Sequence, residues 1–174
     1  ITVKNCNLII TILYKGGIFL NDNSSMKNVK TLTIMAMLIA LSAVGSLIKV
    51  FNTVAFDSMP GYFAALFLGG WQGALVIALG HMLTALTSGF VLGIPIHIYV
   101  AAQMAVYSYL FRFFYDRFNI YVGVIVATIL NGPVSALLMV PIFGWGFFVA
   151  WVGPLTVASF VNILLAALVY KKIL

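Results

Sequence analysis

From Ser58 to Phe111 the chain runs for 54 residues without an Asp, Glu, Lys or Arg, and from Phe118 to Tyr170 it does so for another 53. A water-soluble surface cannot be assembled from such stretches, because the outer face of each surface helix needs charged or strongly polar residues at regular intervals. Composition agrees, with 64% hydrophobic and 7% charged residues and a mean hydropathy of +1.17. Almost all of the chain is therefore expected to lie in the hydrocarbon of a membrane. Helices satisfy their own backbone polar groups there, so an all-α polytopic membrane protein is expected.

The few charges set the number of crossings. A crossing helix takes about 20 apolar residues. Thr31 to Ile48 supplies one helix before Lys49, the first uncharged stretch holds two long helices or three short ones, and the second holds two. Three in the first stretch place Lys27, Lys30, Arg112, Arg117, Lys171 and Lys172 on one side and only Lys49 on the other. That is the positive-inside pattern of a plasma-membrane protein with six transmembrane helices and cytoplasmic N and C termini. Two would split the basic residues without bias.

Breakers place the joints. Pro60-Gly61 opens the second helix and Gly69-Gly70 closes it, which makes that helix short. Trp71 to Thr87, Ile96 to Phe114, Tyr121 to Val140 and Phe148 to Tyr170 follow as helices three to six. Gly132-Pro133 is expected to kink the fifth, and Ser88 to Pro95 and Pro141 to Gly146 read as outer loops. Residues 1–25 stand apart, because the apolar run Leu8 to Tyr14 is too short to cross and no small-residue cleavage site follows it. They read as a leader outside the native unit, with Tyr14-Lys15-Gly16-Gly17 as translated ribosome-binding sequence. The single substrate-binding domain is then expected over residues 26–174.

Several chemistries are excluded. The sole cysteine, Cys6, lies in the leader, so the bundle has no disulfide, thiolate metal site or cysteine nucleophile. No Walker or Rossmann glycine pattern occurs, so ATP-driven work requires a partner. The net charge of +6 follows from cytoplasmic anchors without nucleic acid. With no Glu in the chain and no ligand pair at helical i+4 spacing, a metal or other cofactor is not expected.

A short set of polar residues remains: Lys49, Asn52 and Asp57 around the first outer loop, His81, Thr84, Thr87 and Ser88 on the third helix, His97 and Gln103 on the fourth, Asn131 on the fifth and Asn162 on the sixth. Intramembrane polar groups mark function unless they bond between helices. The interhelical reading leads for the threonines and Asn162, and both readings stand for Asp57, His81 and His97. His81, Thr84 and Ser88, at i, i+3 and i+7, share one face, while Val76, Leu79, Met82 and Leu83 fill the others. A single polar stripe inside a bundle lines something wet. One acid, two imidazoles and amides, with Tyr62, Phe90, Tyr99 and Trp145 as aromatics, suit a small, flat, polar heterocycle. On the first helix Ala36, Ala40 and Ala43 make a smooth stripe for close approach of another helix, from this bundle or from a partner.

Met26-Lys27, Thr31-Leu32-Thr33 through Ala43, Phe56-Asp57-Ser58-Met59-Pro60-Gly61, Ala64-Ala65-Leu66-Phe67-Leu68-Gly69-Gly70, Gly73-Ala74 and Gly80-His81-Met82-Leu83-Thr84-Ala85-Leu86 together resemble the S components of energy-coupling factor (ECF) vitamin transporters. The resemblance covers residues 26–174. It implies a substrate-binding subunit without ATPase activity, which docks through Ala36 and Ala40 onto a transmembrane coupling protein carrying two ATPases. Asp57-Ser58-Met59-Pro60, Gly80-His81-Met82-Leu83 and Pro95-Ile96-His97 look most like the branch associated with α-ribazole, a cobalamin precursor. Hydroxymethylpyrimidine, pantothenate or another vitamin precursor is the alternative ligand. From other classes, a membrane enzyme using His81 and Thr84 as its base and nucleophile and a stand-alone channel stay open.

Overall fold

The computed structural model describes residues 22–47, 49–50, 54–55 and 57–173. In chain order they form α1 (Asp22–Gly45), β1 (Lys49–Val50), β2 (Val54–Ala55), α2 (Met59–Phe67), α3 (Gly70–Thr87) and α4 (Ile94–Arg117). Then come α5 (Ile120–Ile129), a π-helical turn (Leu130–Val134), α6 (Ser135–Leu138), α7 (Val140–Phe143) and α8 (Trp145–Ile173). The strands pair antiparallel, Lys49 with Ala55 and Val50 with Val54, and the rest is helical. Among the described residues, four helical stretches are long and apolar enough to cross a membrane: Lys27–Gly45, Ile94–Arg117, Ile120–Phe143 and Trp145–Ile173.

The described residues up to Ile34, the first part of α1, belong to a first unit, in which Thr33 Oγ1 donates to Val29 O at 2.9 Å. The second unit, Met35–Leu174, holds everything that follows. α1 starts at Asp22 rather than near Thr31, since Asp22, Asn23, Ser24 and Ser25 are residue types that start helices well.

α2 is nine residues long, roughly 13 Å against a hydrocarbon core of about 30 Å. Its free backbone groups therefore fall at membrane depth, where they need protein partners. At the N-terminal end, Met59 N–H donates to Asn162 Oδ1 at 3.1 Å. At the C-terminal end, Arg112 Nη1 donates to Leu66 O at 2.5 Å and Ala65 O at 3.4 Å, while its Nε bonds Asp116 at 2.7 Å. Arg112 thus replaces water for two carbonyls, a role the distribution of charge along the chain does not reveal.

α2 and α3 are an antiparallel pair turned by Gly69, whose φ of +129° excludes side chains. Their axes approach closely because each lacks a side chain where the other needs room. A Cβ on Gly61 would collide with Ile77, and one on Gly73 with Ala65. Above this pair, Met35 on α1 packs with Ala64 and Val76, and a Cβ on Gly80 would come within 2.7 Å of Ser42 Oγ.

The fully buried cluster Tyr62, Leu66, Ile77, Phe111, Ala127, Ile163 and Ala166 fills one end of the bundle. Tyr62 and Phe111 meet edge to face at 5.5 Å. Small residues on α8, Ala158, Ser159, Ala166 and Ala167, let its neighbours come close. Leu75, Leu79, Leu86, Ile98, Val106, Ile125, Val149, Val157 and Leu168 stay exposed, an outward apolar surface that fits lipid.

Boundaries differ from expectation where the breakers are weak inside a membrane. Proline is tolerated in the first helical turn, so α4 begins at Ile94 with Pro95 inside and continues to Arg117. The segment expected as the loop Pro141–Gly146 is largely the helical turn α7, and only Gly144, at φ +78°, separates it from α8. The expected kink at Gly132-Pro133 is the π-helical turn, which accommodates a proline that has no N–H to give.

Candidate functional site

On every long helix of the second unit, the residues facing the apolar cluster lie toward one end and a cavity toward the other. α3 contributes Ile77 to the cluster and His81, Thr84, Ala85 and Ser88 to the cavity, while α4 contributes Phe111 and, at the other end, His97, Val100 and Gln103. α8 contributes Ile163 and Ala166 to the cluster and Phe147, Trp151, Leu155 and Ser159 to the cavity. Met104 belongs to both and forms the floor between them. The cavity has a volume of about 140 Å³, the scale of a space that holds one benzene-sized ring.

Asp57, His81 and His97 form a row along one wall. His81 Nδ1 lies 3.9 Å from Asp57 Oδ2, and His81 Nε2 lies 3.2 Å from His97 Nδ1. The rings are 5.3 Å apart and tilted. Phe90, at a φ of +49° in the loop after α3, meets His97 edge to face at 5.7 Å, so a backbone conformation unusual for a bulky residue supports an imidazole. The three groups are strung out rather than converging, and among the described residues no trio of His, Cys, Asp or Glu is arranged to hold a metal ion.

The opposite wall is built at the π-helical turn. Asn131 Nδ2 donates to Ser159 Oγ at 2.9 Å, and that hydroxyl donates back to Asn131 O at 3.2 Å. Ser135 Oγ donates to Leu130 O, five residues back, at 3.2 Å. The turn comes so close to α8 that a Cβ on Gly132 would meet Thr156 Oγ1 at 2.7 Å. Asn162, at the edge of the cavity, is occupied with structure: Oδ1 accepts from Met59 and Nδ2 donates to Ala158 O at 2.9 Å. Apolar cover comes from Phe147 and Trp151, whose rings lie 5.9 Å apart.

Not all polar lining atoms are satisfied. Thr84 Oγ1, His97 Nε2 and both amide atoms of Gln103 are buried without a protein partner. Such groups cost about 1–3 kcal/mol each unless something fills the space beside them. Thr84, His97 and Gln103 are among the residues that line the cavity, the rest of whose wall is largely apolar.

Of the residues expected at a site, Asp57, His81, Thr84, Ser88, His97, Gln103 and Asn131 line this one cavity. Trp145 does not join them: it is the first residue of α8 and 65% exposed. Tyr62 lies in the buried cluster and Tyr99 is exposed. Lys49 falls in β1, and its side chain, like Asn52 as a whole, lies outside the described residues. Ser135, Ser159, Phe147 and Trp151 also line the cavity. Their only sequence cue is small polar or aromatic residues two to six positions from Asn131, Trp145 or Asn162 in otherwise largely apolar runs.

A family model described as "ECF transporter, substrate-specific component" matches residues 30–174. Neither the curated proteins nor the solved structures give a match. A helical membrane bundle with a largely apolar cavity at one end, carrying a few polar residues, is consistent with that family model, whose members are transport subunits. The chain belongs to the ECF transporter substrate-specific component family, as a membrane-embedded substrate-binding subunit of an ECF importer.

Proposed function

We propose that this subunit captures a vitamin precursor with a small, flat, polar heterocycle in the cavity walled by His81, His97, Gln103, Asn131 and Trp151. The observation that carries the reading is the convergence of Asp57, His81, Thr84, His97, Gln103 and Asn131 on one space of about 140 Å³, with buried, unpartnered polar atoms on Thr84, His97 and Gln103. The motifs around Asp57, His81 and His97 favour α-ribazole as the ligand. The volume favours a single-ring precursor such as hydroxymethylpyrimidine, because α-ribazole carries a fused bicycle and a ribose. Untargeted mass spectrometry of the small molecule retained by the purified full chain tests this. A vitamin-type heterocycle is the expected result, and a turnover product would point to an enzyme instead.

The proposal includes six crossings of the cell membrane with both termini in the cytoplasm. Arg112, Asp116, Arg117, Lys171 and Lys172 cluster at the end of the second unit that holds the apolar cluster, where Tyr115 and Tyr170 bring the ends of α4 and α8 together at 5.9 Å. By the positive-inside rule that end faces the cytoplasm, and the cavity then faces outward. Ala36 and Ala40 are exposed and Ala43 half-buried, which supports this stripe as the docking face for the coupling protein and, through it, two ATPases. Cysteine accessibility at engineered sites in the Ser88–Gly93 loop and beside Arg117 tests the orientation.

A further inference from the structure

The unpartnered atoms define the edge that a guest must present, an inference that rests on the cavity being the substrate site. Two neutral imidazoles joined by one hydrogen bond share it in only two ways. The Asp57 carboxylate, on the Nδ1 side of His81, favours the proton on that nitrogen. His81 Nε2 is then the acceptor, His97 Nδ1 donates to it across 3.2 Å, and His97 Nε2 is left as an acceptor with no protein donor. Gln103 adds a complete primary amide, one carbonyl and one NH2, with neither end engaged. Both side chains are more than nine-tenths buried, at 9% and 8% exposure.

An amide with both ends free pairs best with a guest that offers a donor and an acceptor side by side in one plane. Cyclic amides and amidines do so. A guest with acceptors alone satisfies the Gln103 NH2 and leaves both its carbonyl and His97 Nε2 unpaired, which rejects it. We propose that the ligand of this cavity is a single planar ring carrying a cyclic-amide or amidine edge toward Gln103 and a further N–H or O–H donor toward His97 Nε2. Phe147 and Trp151 provide an aromatic wall for its ring.

Ligand-observed NMR on the purified, ligand-free full chain tests this with 2-pyridone and 2-aminopyridine against N-methyl-2-pyridone and 2-(dimethylamino)pyridine. Each donor-bearing probe is expected to bind about tenfold tighter than its methylated counterpart. Gln103→Leu is expected to abolish the difference within each pair. Equal affinities within both pairs in the wild-type chain, or no binding of either donor-bearing probe, overturns the inference without needing any variant to fold. Equal affinities in a chain that still supports vitamin uptake remove only the ligand edge. Discrimination retained without uptake removes only the transport reading.

Discussion

His97 Nδ1 and His81 Nε2 stand 3.2 Å apart across the gap between α4 and α3, so the two cavity-lining imidazoles are partners of one another. If His97 contacts the guest as proposed, a change at His81 reaches the guest through it. His81→Ala is expected to weaken ligand binding by about 1–3 kcal/mol, because it leaves His97 without its partner. Isothermal titration and thermal unfolding on the same purified variant separate this from a structural role. Unchanged affinity together with a lower unfolding temperature would make the histidine pair a brace between helices.

Trp151 and Trp145 sit six residues apart on α8, the first in the cavity and the second 65% exposed. Ligand binding is expected to alter Trp151 fluorescence. Trp151→Phe removes the signal change, and Trp145→Phe leaves both signal and affinity intact. A signal that disappears with Trp145 instead would relocate the site.

Asn162 holds the first N–H of α2 from 103 positions away in the chain. Replacing it with Ala leaves that N–H unsatisfied at membrane depth, with an expected loss of about 1–3 kcal/mol. Thermal unfolding in detergent reads the loss directly, and an unchanged transition would mean that water reaches the end of α2.

Gly61 and Gly73 are where α2 and α3 touch. A methyl group at either position has no space, so Gly61→Ala and Gly73→Ala are each expected to lower stability by about 1–3 kcal/mol. Gly146, beside which a Cβ meets nothing within 4 Å, serves as the control whose Ala variant unfolds like the wild type.

Ala36→Leu combined with Ala40→Leu is expected to leave ligand binding intact and abolish uptake in cells that carry the coupling protein and ATPases, since a branched side chain blocks close helix approach. Wild-type uptake by the double variant would refute the docking stripe.

Helix existence was legible because two long uncharged runs leave little but membrane helix, and the stripe His81, Thr84, Ser88 was legible because α3 has a polar and an apolar face. The other half of the cavity was not. α8 presents apolar residues to lipid and to its neighbours alike, so periodicity has no contrast with which to separate Trp151 from Trp145. The π-helical turn hides in a Gly-Pro pair that reads only as a kink, yet the residues around it, Asn131 and Ser135, are those that line the site. Arg112 reads as a cytoplasmic anchor, while its bonds to Ala65 and Leu66 depend on an α2 too short to bury its own carbonyls.

The packing of Tyr62, Phe111, Ile163 and their neighbours beneath Met104 has a bearing on what this chain does alone. The cavity has a bottom made of buried side chains, so in the proposed orientation a guest that enters past the Ser88–Gly93 loop leaves by the same route. On that proposal the isolated subunit is a cup and not a pipe, in equilibrium with one side only. Delivery to the other side requires work done on the cup from outside. Proteoliposomes containing this chain alone should therefore bind ligand and show no leak of it.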